Sequence, residues 1–151
     1  MMKIKACVNG MTIALEYVKD EVFSQKMMGD GIGIFPESDN IVAPMDGVIT
    51  MIFPTHHAIG IKSSQIELLI HVGIDTVNLQ GKFFKCHVKE NQQVKAGDKL
   101  ITFKRKKIQK EGYPLDTLMI ITKKTDDMLI SKIKHKTKVV ANLDTVLEIL
   151  P

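Results

Sequence analysis

The chain has 151 residues, 44% hydrophobic and 25% charged, a length and balance that suit one globular domain able to bury a core without staples. Its two cysteines, Cys7 and Cys86, lack CxxC spacing, which argues for reduced thiols in a cytoplasmic protein and against a disulfide scaffold. The net charge of +4 gathers in "FKRKKIQK" (103–110) and "SKIKHKTK" (131–138), but no Trp and only two Tyr are present as stacking platforms, so a solvated basic surface is favoured over a nucleic-acid interface.

Short apolar runs alternate with turn residues along the whole chain. They predict strands over 11–16, 31–35, 41–43, 47–53, 58–62, 66–72, 84–88, 100–103, 117–122, 139–141 and 145–149. The segments 106–113 and 126–135 read as short helices or helical turns. No run approaches the roughly 18 apolar residues of a membrane span, and the start lacks a signal-peptide core, so direct membrane insertion is not expected. "GDG" (29–31) has no GK[ST] after it and reads as a turn entering a strand. A weak internal echo links "VKAGDKLITF" (94–103) with "VVANLDTVLEI" (139–149); Gly97 and Asn142 both tolerate the positive φ of a tight turn. Many short β units without a long helix predict an all-β antiparallel barrel-sandwich, formed by one domain over 1–151 with a few short helical turns.

The chemistry concentrates in "FPTHHAIGIKS" (53–63) and "QIELLIHVGIDTV" (65–77). Alternation on a strand puts Ile66, Leu68, Ile70 and Val72 on one face and Glu67, Leu69 and His71 on the other, so His71 can stand outward beside Asp75. A hairpin turning at Ser63–Ser64 would bring His57 across from His71, both open to water, with His56 pointing away as a bystander. The Thr55 hydroxyl, two residues before His57, could orient that ring. From the spacing alone three readings stay open. The two imidazoles could be ordinary surface residues, could perform phosphoryl transfer through a neutral ring nitrogen, or could bind zinc with Asp75 as a further ligand.

These same residues carry a resemblance. "VFSQKMMGDGIGI" (22–34), "VAPMDGVI" (42–49), "FPTHHAIGIKS", "ELLIHVGIDTVNLQGKFF" (67–84) and "VKAGDKLITF" resemble the glucose-type enzyme IIA of the bacterial sugar phosphotransferase system. The resemblance implies that family's antiparallel barrel-sandwich, duplicated in the hybrid-motif manner, and a relay activity needing no cofactor beyond a covalent phosphoryl group. A phosphoryl group would come from phosphohistidine on the carrier HPr, rest on His71, and pass to a cysteine of a IIB domain of a membrane permease. His57 matches the second histidine that assists transfer, and Thr55 matches the threonine contacting that ring. Asp20 and Asp75 match acidic residues at the rim. Phe23, Met27, Met28, Phe53, Leu69 and Val77 match the apolar ring on which partners dock. The same face would serve a second reading, a regulatory protein binding other enzymes, with zinc bridging His57, His71 and a partner carboxylate. The chain departs from the family pattern with Asn142 in place of a turn glycine, with Met119 where proline is common, and with a more basic 104–124.

Overall fold

The computed structural model describes residues 1–151. Its strands are Met2–Lys5 (β1), Gly10–Ile13 (β2), Asp30–Pro36 (β3), Asn40–Val42 (β4), Gly47–Ile52 (β5), Ala58–Lys62 (β6), Glu67–Val72 (β7), Phe84–Cys86 (β8), Gln93–Val94 (β9), Lys99–Phe103 (β10), Thr117–Lys123 (β11), Leu129–Lys132 (β12), Lys138–Val139 (β13) and Thr145–Leu150 (β14). Two short α-helices, Glu21–Ser24 (α1) and Arg105–Lys110 (α2), and two 3₁₀ turns, Leu15–Tyr17 and Thr76–Leu79, complete the chain. All strand pairs are antiparallel.

One sheet of eight strands runs in the order β13-β2-β3-β11-β7-β6-β5-β9, and two sheets of three run β4-β10-β8 and β1-β14-β12. The period-two pattern of β7 holds: Ile66, Leu68, Ile70 and Val72 join a main core of 30 buried residues. On the other face of the large sheet, Ala58, Leu69, Leu118 and Ile120 meet Leu15, Val18, Phe23 and Ile74 in a separate buried cluster of eight. The segment 14–28, with its 3₁₀ turn and α1, therefore lies as a strap across that outer face. The predicted strand 11–16 stops at Ile13 because the chain turns there to form the strap.

The internal echo is structural. Its two segments supply the central strands of the two small sheets, β10 and β14. Both turns sit at positive φ, Gly97 at +95° and Asn142 at +61°. Gly97 N–H donates to the Ala43 carbonyl at 2.8 Å, and Asn142 N–H donates to the Ala6 carbonyl at 3.0 Å. Asp98 and Asp144 then play the same part, accepting from the N–H groups of Lys95 at 2.9 Å and Val140 at 2.7 Å. One strand–turn–strand design thus recurs in the two small sheets.

Several elements differ from expectation. The segment 126–135 is not helical; it contains β12, paired with β14 from Leu129↔Leu150 to Lys132↔Leu147. A ladder with the chain's last strand outweighs a weak local helical pattern, because each pairing satisfies backbone groups that a short helix would leave at its ends. Strands β1 and β9 were not predicted either. β1 is "MKIK", with only Ile4 buried, and it forms by pairing with the distant β14.

Candidate active site

The β6–β7 hairpin sets the site. Its register places Ala58 opposite His71, and Val72 N–H donates to the His57 carbonyl at 2.8 Å. The two imidazoles consequently meet edge to face, with ring centroids 4.9 Å apart at 85°. His56 adopts a left-handed conformation with φ 59° in the turn before β6, apart from this pair. The expectation that both rings face water is corrected for His57, which is 1% exposed; His71 is partly exposed. The physical reason is enclosure by aromatics, Phe53 at 5.4 Å and Phe84 at 6.4 Å between centroids. Phe84 was not singled out from the sequence, since nothing local to "GKFFK" points it at a histidine twenty-seven residues earlier.

Each ring is held through Nδ1. His71 Nδ1 lies 2.9 Å from the Gly73 carbonyl oxygen. A carbonyl can only accept, so Nδ1 carries the hydrogen and the neutral ring keeps its lone pair on Nε2. His57 Nδ1 lies 2.6 Å from Thr55 Oγ1, a hydroxyl able to donate or accept, so Thr55 does orient this ring. Burial holds the His57 pKa down at about 4, with the charge of His71 adding to the effect. His71 is also lowered, by burial first, against which the Gly73 carbonyl, Asp20 and Asp75 favour the imidazolium. Both rings are therefore neutral at pH 7, one of them partly exposed and the other a buried neighbour.

The surrounding residues divide by exposure. Met27, Met28 and Val77 are exposed at 70%, 42% and 49%, and Phe53 is partly buried. Phe23 and Leu69 are buried in the outer cluster, with the Phe23 ring 5.0 Å from that of His71. Phe23 reaches this place because Asp20 caps α1, accepting from the N–H groups of Val22 at 2.9 Å and Phe23 at 3.4 Å. Asp75 is exposed at the rim, in a left-handed conformation with φ 60°.

Zinc does not find a complete set of ligands here. No three His, Cys, Asp or Glu side chains gather to hold a metal ion, so Asp75 does not join the histidines as a third donor. The two histidines by themselves give a bridging zinc two donors, so it would need its further ligands from a partner.

Residues 2–127 match the family model described as phosphoenolpyruvate-dependent sugar phosphotransferase system, EIIA 1. The chain is 46% identical over 121 residues to the PTS system glucose-specific EIICBA component of Streptococcus pneumoniae, covering 80% of this chain and 17% of that protein. It is 38% identical over 148 residues to the glucose-specific EIIA component of Oceanobacillus iheyensis, covering 97% of this chain and 89% of the relative. The chain thus spans nearly all of a standalone EIIA relative but under a fifth of the fused EIICBA one. Among solved structures, the glucose permease IIA from Mycoplasma capricolum superposes with a TM-score of 0.90 at 37% identity, covering 98% of this chain and 94% of that one. A shared β architecture, the paired histidines and these matches across the chain lead to one conclusion: it belongs to the glucose-type EIIA family of the phosphoenolpyruvate-dependent sugar phosphotransferase system.

Proposed function

We propose that this chain is a phosphoryl carrier in sugar uptake, loaded at His71 Nε2 by phosphohistidine HPr and unloaded onto a cysteine of a IIB domain. The observation that carries the reading is His71 itself: partly exposed, neutral, and pinned through Nδ1 so that Nε2 is left as the free base. In the loading step, the Nε2 lone pair attacks phosphorus, the donor's N–P bond breaks, and its electron pair returns to the donor imidazole. The His71 ring gains positive charge as the new N–P bond forms, and the Gly73 carbonyl on Nδ1–H stabilises that charge. His57, with Nδ1 accepting from Thr55, would present Nε2–H to the phosphoryl oxygens as charge spreads over them. In the unloading step a IIB cysteine thiolate forms the S–P bond while the His71 N–P bond breaks.

A shallow apolar rim suits a carrier that meets two proteins in turn. Met27 and Met28 repack readily, and Phe53 and Val77 supply further contact area beside them. Phe23 and Leu69 lie beneath that rim as its support, and Asp20 and Asp75 give it an acidic edge for basic partner side chains. The IIB partner has support from the names of the fused relatives, in which EIIA shares one polypeptide with B and C components.

Incubation with enzyme I, HPr and phosphoenolpyruvate, followed by mass mapping of the acid-labile phosphate, tests the reading. The expected label is on His71; His71→Ala should accept none. His57→Gln should still be labelled but pass phosphate to IIB slower by on the order of a hundredfold. Labelling of His71→Ala at the rate of the unaltered protein would sink the assignment.

A further inference from the structure

The three peptide units from His71 to Ile74 carry a set of hydrogen bonds beyond the β7 ladder. Val72 donates its N–H to the His57 carbonyl at 2.8 Å, and its own carbonyl accepts from Thr76 Oγ1 at 2.6 Å. Gly73 N–H donates to the Asp116 carbonyl at 3.0 Å, and Ile74 N–H donates to the Pro114 carbonyl at 3.0 Å. The Gly73 carbonyl then accepts from His71 Nδ1. Gly73 sits at φ +79°, and glycine imposes little conformational preference of its own. The direction of its carbonyl is therefore set by what holds the peptides on either side. Apart from His71, Thr76 is the one side chain among these partners. It is fully buried at 0% exposure, so no water can replace its hydroxyl on the Val72 carbonyl. Its methyl packs on the glycine: a Cβ at Gly73 would lie 2.4 Å from Thr76 Cγ2.

We propose that Thr76 is a positioning residue for phosphoryl transfer: its hold on the Val72 carbonyl keeps the Gly73 carbonyl on His71 Nδ1 and so reserves the Nε2 lone pair for phosphorus. The proposal rests on His71 being the acceptor. Without the hydroxyl, a buried Val72 carbonyl loses its partner and the peptide turns to find another. The Gly73 carbonyl turns with it. His71 is then free to move its proton to Nε2, and a ring in that tautomer has no lone pair where the phosphoryl group arrives.

The test compares the full chain with Thr76→Val, Thr76→Ser and Thr12→Val. Thr12 is equally buried, and its hydroxyl donates to the Lys134 carbonyl at 2.6 Å on β2, so it controls for a merely structural loss. Imidazole ¹⁵N NMR of the unphosphorylated proteins reads the His71 tautomer and its pKa. The Nδ1–H form should dominate in the unaltered chain, in Thr76→Ser and in Thr12→Val. Thr76→Val should show mixed tautomers and a still lower His71 pKa, with kcat for transfer from phospho-HPr down about tenfold to a hundredfold and KM unchanged. Should Thr76→Val not fold, Thr76→Cys, with similar volume and only a weak S–H donor, is read in the same way. A wild-type tautomer in the hydroxyl-less variant overturns the role of Thr76 and leaves the carrier function standing. Failure of the unaltered chain to take phosphate on His71 would instead overturn the carrier function and leave the tautomer result intact.

Discussion

On its inner face the eight-stranded sheet gives Ile32, Ile34, Ile59, Ile61, Leu68 and Ile70 to a core of 30 buried residues, whereas on its outer face Ala58, Leu69, Leu118 and Ile120 share a cluster of only eight. The inner face is covered by two small sheets; the outer one is covered by the strap 14–28 and left open around His71. The contrast follows from what each face must do. Stability scales with apolar area removed from water, which favours full coverage. The carrier role proposed for His71 requires coverage that stops short of it. The outer cluster is thus just large enough to hold Phe23 against His71 and to keep Leu118 beside it on the neighbouring strand.

Truncation on each face sharpens this division, and it should give the largest effects. Ile34→Ala, at 0% exposure on the inner face, should cost about 2–5 kcal/mol in urea unfolding while the folded protein still accepts phosphate at the normal rate. Leu118→Ala, also at 0% exposure but directly across from His71, should cost about as much and also slow phosphate acceptance. Equal phosphorylation rates in the two folded variants would break the division between faces.

An intermediate effect is expected from pH. The folded-state pKa of His57 lies near 4, below its ordinary 6.5, so the unfolded chain binds the proton more readily. The contribution is fully present above pH 6.5 and is lost as pH falls through about 4. Urea midpoints measured across that interval should drop, and His57→Gln should remove part of the slope. The lowered pKa of His71 acts in the same direction. A slope unchanged in His57→Gln would mean that the buried ring is not what titrates.

The smallest change should come from the rim. Met27→Ala, at a position 70% exposed, should move stability by less than about 0.5 kcal/mol. It should raise KM for phospho-HPr by about fivefold, the loss of roughly 1 kcal/mol of docking contact, with kcat unchanged. An unchanged KM would remove Met27 from the docking surface.

Much of the large sheet was legible because its strands alternate or run apolar between turn residues, as "ELLIHV" and "AIGIK" do. The hairpin could be read too, but not its register: the connection takes the four residues 63–66 rather than Ser63–Ser64 alone, so Lys62 pairs with Glu67 and Ala58, not His57, lies opposite His71. The elements that escaped depend on distant partners. β12 looked helical from its own residues and became a strand by joining β14, and β1 has a single buried side chain to announce it.

By itself, then, the order of residues determined which segments are strands along most of the large sheet, the hairpin that brings two imidazoles together and the Thr55–His57 contact, because each arises from neighbours in the chain or one short hairpin. Only the tertiary structure decided that His57 is sealed beneath Phe53 and Phe84 while His71 keeps an opening. It alone decided the His71 tautomer as well, since the Gly73 carbonyl is aimed by Thr76 within the turn and by Pro114 and Asp116 from the segment that leads into β11 some forty residues later. Burial and hydrogen-bond direction are properties of what the fold brings alongside, and neither is encoded in the spacing of the residues that carry the chemistry.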